Sequence, residues 1–188
     1  KSVHQNRMLV AKFLGIRRSQ LIFVHQIHST KVITIRDKPT KPLKGDAIVT
    51  NSKNLALSIL TADCQPVLFA DKKNSVIGAA HAGWKGAFSG IIKNTISKIK
   101  KINSKNEIYA AIGPCIGKNS YEVDIKFYNK FVSRSKENKK YFLKKNSAKK
   151  LFNLRRFVSD KLTELKVKIY HVNYDTFKEK HNFFSYRR

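Results

Sequence analysis

Cysteine is scarce: Cys64 and Cys115 are the only two in 188 residues. One disulfide at most could form, so the fold has to rest on a packed core rather than on covalent staples. In a reducing setting both stay thiols, open to reactivity, metal binding or simple burial. Cys115, in "GPCIG", reads as a small buried residue beside a glycine turn. No apolar run approaches the roughly 20 residues of a membrane-crossing helix. The opening "KSVHQNRMLVAKFLGI" has neither the apolar centre nor the small-residue cleavage site of a secretion signal. These absences predict a soluble, intracellular (cytoplasmic) protein with no membrane partner. Internal repeats, low-complexity linkers and glycine-rich phosphate loops of the GxGxxG or P-loop type are also missing, which favours a single domain over residues 1–188.

Acidic residues are the other shortage, 12 against 39 Lys and Arg, for a formal charge of +27. Such a balance invites a nucleic-acid partner. Its make-up argues otherwise. Lysine supplies 30 of the 39 cations and is spread from end to end, while arginine, the better reader of phosphates and bases, is sparse. Lys, Asn and Ile share A/T-rich codons, so a biased genome produces this composition on an ordinary enzyme. The densest tract, "SRSKENKKYFLKKNSAKK", reads as a solvated helix face and loop. Non-specific adhesion to polyanions is expected; specific nucleic-acid binding is not.

Aromatic and β-branched residues are plentiful enough for a real core. Residues 2–14 read as a helix running into Gly15, and "QLIFVHQIHSTKVITI" as one or two strands. "DAIVT", "LALSILTA", "PVLFAD" and "SVIGAAH" are short apolar runs of the kind buried strands show. From Ala87 to Ile99 apolar residues recur at helical spacing, predicting one helix over 86–101. "EIYAAIGP" and "VKIYHV" read as strands, "VDIKFYNKFVS" as a short helix, and Leu151, Leu154, Val158, Leu162 and Leu165 as a further one. The elements interleave without a strict βαβ rhythm, predicting an α+β domain with mixed sheets.

Three polar groups stand at the ends of predicted strands: His28 in "HQIHS", Cys64 in "TADC" and His81 in "AAHAGW". A Cys and two His suit tetrahedral zinc with its fourth position open. Cys64 and His81 alone would equally make a thiolate–imidazole pair. Their separations fit no local zinc motif, and the residues by themselves leave both readings open.

"QIHS", "GDAIVT", "TADCQPVLFAD", "GAAHAGWKG", "AAIGPCIGKNSYEV" and "FFSYRR" follow one another in the order seen in the YfiH-like family. Its members are called laccase-domain proteins, polyphenol oxidases or purine nucleoside phosphorylases, and the resemblance spans nearly the whole chain. It implies a layered α/β/β/α sandwich of mixed sheets, similar to the catalytic domain of deamidating necrotizing toxins. It implies that His28, Cys64 and His81 ligate a metal, usually zinc, with copper also reported. The implied activities are phosphorolysis of adenosine, inosine, guanosine and methylthioadenosine, and deamination of adenosine, in which zinc would activate water for attack at C6. The implied partners are thus a purine nucleoside and phosphate. The resemblance also leaves a laccase-like copper polyphenol oxidase, a metal-free Cys/His amidase and a peptidoglycan-editing role as alternatives.

Beside the matched motifs, Cys64 is expected to be held by a turn at Gln65–Pro66. Asp63 is a candidate proton carrier or partner of a metal-ligating histidine. Lys85 and Arg187 are candidate phosphate or substrate contacts, and Trp84 reads as packing with a possible stacking face. Family members carry a front segment with an active-site arginine and a tail past "FFSYRR" that are not among these residues, so a trimmed version of a longer protein is expected.

Overall fold

The computed structural model describes residues 2–73, 75–103 and 105–188. Its spine is a six-stranded mixed sheet. In chain order the strands and helices are α1 (Ser2–Phe13), β1 (Leu21–Ile22), β2 (Val32–Ile35), β3 (Ala47–Thr50), β4 (Ala56–Leu57), β5 (Gln65–Asp71), β6 (Ile77–Ala82), α2 (Trp84–Ser89) and α3 (Ile91–Ile102). Then follow β7 (Ile108–Ile112), β8 (Glu122–Asp124), α4 (Ile125–Arg134), β9 (Phe142–Lys144), β10 (Lys149–Phe152), α5 (Leu154–Glu164) and β11 (Lys168–His171). The large sheet runs β11-β7-β5-β6-β3-β2. Its outer pairs, β2–β3 and β7–β11, are parallel and its three inner pairs antiparallel. The mixed α+β class expected from the sequence is what forms.

Alternation explains how this sheet sits. In β5, Val67 and Phe69 point into the core while Leu68 between them is 52% exposed. The first face carries Val49, Val67, Phe69, Ala80, Ala110 and Ile112 against α3 and α5. Small residues in β6 allow that approach: a Cβ on Gly78 would lie 3.3 Å from Ile99 Cδ1. Toward β2 and β3 the second face is covered as well, where Ile35 and Ile48 pack with Ile22 and Leu57 of the short β1–β4 sheet. "PVLFAD" is therefore a one-sided strand, not one buried on both faces.

Three further expectations shift. The helix over 86–101 is two helices, broken at Gly90, whose φ of +105° serves at once as the end of α2 and the start of α3. "LALSILTA" yields only the two-residue β4. The basic tract is not a helix face: it forms a 3-10 turn at Lys136–Tyr141, then β9 and the start of β10. Beneath its lysines lie Tyr141, Phe142 and Phe152, packed with Phe127, Phe131 and Phe157, which the count of charges concealed. Leu151 accordingly belongs to β10, and α5 starts after Asn153, whose side chain caps the Arg156 N–H at 3.0 Å. No helix among the described residues is long and apolar enough to cross a membrane.

Candidate metal centre

The chain brings His28, Cys64 and His81 together. One ligand atom from each lies within 4.8 Å of the other two. Cys64 Sγ is 3.8 Å from His28 Nε2, and the two imidazoles meet edge to face with centroids 4.7 Å apart. Ligands around tetrahedral zinc sit about 3.3–3.6 Å from one another, given bonds of about 2.0–2.3 Å. The set is therefore close to ligating distance.

Each residue arrives differently. His81 is in β6, in register with Pro66 of β5, and is almost wholly buried. Cys64 directly precedes β5. The expected turn at Gln65–Pro66 is absent, because these residues already pair in the sheet; the chain bends before Cys64, with Asp63 in the left-handed region at φ +83°. His28 is not at a strand end. It lies in the loop between β1 and β2, also left-handed at φ +56°. Two non-glycine residues in this sparse region, His28 in the cluster and Asp63 next to Cys64, put costly backbone at the site.

Asp46, at the start of the buried run into β3, does the holding, and sequence reasoning did not single it out. Fully buried, it accepts the His28 N–H at 2.9 Å, the Ser29 N–H at 2.6 Å and the Ser29 hydroxyl at 2.7 Å. It also faces His81 Nδ1 at 2.9 Å. With its Nδ1–H donated to the Asp46 carboxylate, His81 presents the Nε2 lone pair, the tautomer a metal needs. Burial opposes its charge, but hydrogen bonds from His81 and Ser29 outweigh that and hold the Asp46 carboxyl below the usual range. Burial also pushes His81 down, with His28 adding to it against the pull of Asp46, which favours a neutral, ligating imidazole. An acid directly ahead of an unbroken buried strand, "GDAIVT", was the signal available in the sequence.

Asp63 is placed elsewhere than expected. Neither histidine is its partner. Its carboxylate takes the Thr176 hydroxyl at 2.8 Å, the Ser185 hydroxyl at 2.9 Å and the Arg187 N–H at 2.8 Å, tying the C-terminal segment beside Cys64.

Cys64 fits metal ligation better than free nucleophilicity. Burial pushes its thiol up to about 11, with the Asp63 and Asp46 charges adding. A thiol so placed is not an ionised nucleophile at neutral pH, whereas a bound cation would deprotonate it. Gly83 supplies a further test of fit. A Cβ there would meet Cys64 Sγ at 2.9 Å and His28 Cδ2 at 3.0 Å, so the glycine of "HAGW" keeps clear the space the ligands share. Cys115 is fully buried, pushed up to about 12 chiefly by that burial, and not disulfide-bonded to Cys64.

The cluster opens onto a cavity of about 630 Å³ bordered by Gln26, Leu60, Trp84, Lys85, Tyr121, Tyr186 and Arg187. Lys85 is exposed at its rim. Arg187 leans over the Tyr121 ring at 5.0 Å and donates to the Glu122 carbonyl at 2.9 Å. Trp84 packs on Phe127 with centroids 4.8 Å apart, joining the aromatic core while bordering the cavity. Burial pushes Tyr121 up to about 12, against the pull of Arg187, leaving a neutral phenol.

The model of one family, multi-copper polyphenol oxidoreductase laccase, matches residues 1–188. A purine nucleoside phosphorylase of Rickettsia prowazekii (strain Madrid E) is 38% identical over 176 residues, covering 92% of this chain and 72% of its own. The purine nucleoside phosphorylase of Haemophilus influenzae is 37% identical over 191 residues, covering 100% and 76%. Among solved structures, Bacillus licheniformis hypothetical protein YfiH superposes with a TM-score of 0.91 at 30% identity, over 98% of this chain and 74% of its own. A Neisseria meningitidis protein gives 0.88 at 32% identity, over 99% and 75%. A fold shared over nearly all its length and a family model matched throughout place the chain in the YfiH-like laccase-domain family.

Proposed function

We propose that this chain is a zinc-dependent purine nucleoside phosphorylase, acting on adenosine, inosine, guanosine and methylthioadenosine, and that it also deaminates adenosine. The observation that carries the reading is a His–His–Cys cluster, oriented by a buried carboxylate, opening onto a cavity with cations at its rim. The names of the Rickettsia and Haemophilus relatives support the substrate class. Zinc bound by His28, Cys64 and His81 would supply a Lewis acid that polarises oxygen. Asp46 keeps His81 in its ligating tautomer and His28 in its loop. Lys85 and Arg187 would receive phosphate, aligning one oxygen on the ribose C1′; the new C–O bond forms as the C1′–N9 bond breaks and the purine leaves, taking a proton. Without phosphate, water replaces the amino group of adenosine, giving inosine and ammonia.

Laccase chemistry fits less well. Four-electron reduction of oxygen needs several coppers, and among the described residues this is the one cluster of three His, Cys or acidic ligands. A metal-free Cys–His amidase would need a thiolate that burial disfavours at Cys64.

The test is metal analysis with turnover of adenosine, with and without phosphate, on a form carrying the front segment of its longer relatives. We expect one zinc per chain, lost in Cys64→Ala, free base only with phosphate, and ammonia without it. Lys85→Ala should raise the KM for phosphate more than that for nucleoside. Stoichiometric zinc with no nucleoside turnover, but hydrolysis of a peptide or amide, would replace this reading with the amidase.

A further inference from the structure

A second cavity, of about 490 Å³, shares no lining residue with the metal-site cavity and takes its charge almost wholly from cations. Lys118 comes from the loop after β7, Arg155 and Arg156 from the first turn of α5, and Lys178 from the turn after β11. None of the four is in an ion pair among the described residues. Asn119, Ser159, His171 and Asn173 border the same space with neutral or titratable donors.

One carboxylate, Asp175, lines it and is spent on the backbone. Its Oδ1 accepts the Gly117 N–H at 2.9 Å and the Phe177 N–H at 3.1 Å, and its Oδ2 the Ser120 hydroxyl at 2.6 Å. Gly117 is required there, since any Cβ would collide with that carboxylate. Asp175 thus fixes the loop that carries Lys118 rather than neutralising the lysine. Arg155 is fixed too, donating from Nη2 to the Tyr174 carbonyl at 2.6 Å, which leaves part of its guanidinium uncommitted.

We propose that this cavity is a binding site for a short phosphate chain, inorganic or carried by a nucleotide. Four permanent cations from three segments border one space whose single carboxylate is already engaged, and they match a ligand with several negative charges rather than one. The Arg155 guanidinium, whose Nε has no partner among the described residues, suits forked phosphate oxygens, while Arg156 donates to the Lys140 carbonyl at 3.5 Å and adds charge at the border. The site is independent of the nucleoside reading, yet shares a strut with the metal centre: Asp175 pins this cavity, and the next residue, Thr176, bonds Asp63 beside Cys64.

The experiment is calorimetric titration of the zinc-loaded chain at about 0.15 M salt, where long-range attraction is screened beyond about 8 Å. The probes are inorganic phosphate, inorganic triphosphate and adenosine triphosphate. We expect saturable binding of triphosphate, one per chain, far tighter than phosphate. Lys118→Gln/Lys178→Gln should weaken it about tenfold, as for two lost charge-assisted contacts. Lys100→Gln/Lys101→Gln, which removes equal charge from the exposed end of α3, should change it less than about twofold. Equal affinity for both triphosphates assigns an inorganic chain, and tighter adenosine triphosphate assigns a nucleotide. Equal losses in the two double variants, or no saturable binding, would overturn the site. So would a loss in Lys85→Ala matching that in the Lys118/Lys178 pair, which would place the ligand at the metal cavity instead.

Discussion

Asp46 orients two candidate metal ligands at once, and so exposes the candidate centre to a single isosteric change. Asp46→Asn keeps the shape but removes the charge and offers His81 Nδ1 an amide instead. We expect zinc affinity to fall about 10–100-fold, the usual cost of losing such a partner, measured by competition with a chelator. Gly83→Ala tests the same centre through space alone. Its Cβ would press on Cys64 and His28, so zinc stoichiometry should fall although no ligand is changed. Full zinc occupancy in Gly83→Ala would mean that the three side chains do not converge as described. At this scale the candidate ligands were legible, because "QIHS", "TADC" and "HAGW" carry them, but Asp46 was not. Its contacts run to residues 18 and 35 positions away, and only folding makes them neighbours.

Elements show a second contrast between legible and hidden features. The apolar spacing of Ile91, Ile92, Ile96 and Ile99 revealed a helix, yet the same spacing continued through Gly90, where the helix breaks. Periodicity follows faces and is blind to φ. Gly90 has nothing within 4 Å of the Cβ position, so Gly90→Ala should cost backbone strain only. We expect about 1–2 kcal/mol by chemical denaturation, with zinc content unchanged. Asp71, at the end of β5, secures another junction. It accepts from Ser75 N–H at 2.6 Å and Val76 N–H at 3.1 Å, and its second oxygen from Asn106 at 2.6 Å. Burial raises its pKa, but these bonds outweigh that and lower it. Since the folded pKa lies below the unfolded value of about 4, its contribution is present above that value and fades as pH falls through the folded pKa. Asp71→Asn should therefore destabilise by about 1–3 kcal/mol near neutrality and flatten the acid limb of the stability profile below about pH 4. An unaltered acid limb would remove Asp71 from that role.

For the molecule as a whole, +27 is the dominant physical quantity. That charge is mostly lysine spread from end to end of the chain, over an apolar and aromatic interior. We expect weak, sequence-indifferent DNA binding that falls by orders of magnitude between about 50 and about 200 mM salt, as counterion release requires. Selective binding that survives moderate salt would show that the surface reads nucleic acid after all.

The sequence by itself determined what depends on local pattern. It set the mixed α+β class, most helices and strands of the large sheet, the three candidate ligands picked out by their motifs, the family, and the burial of Cys115 beside its glycine turn. These are matters of periodicity and of motifs a few residues long. Only the tertiary structure decided which carboxylate serves the centre, giving Asp46 to the histidines and Asp63 to the C-terminal segment. It alone turned the basic tract into a small sheet over an aromatic core, and set Lys118, Arg155, Arg156 and Lys178 around one cavity. The physical reason is common to all three. Hydrogen bonds, burial and electrostatic fields act over a few ångströms of space, and the chain places residues tens of positions apart within that range only once it has folded.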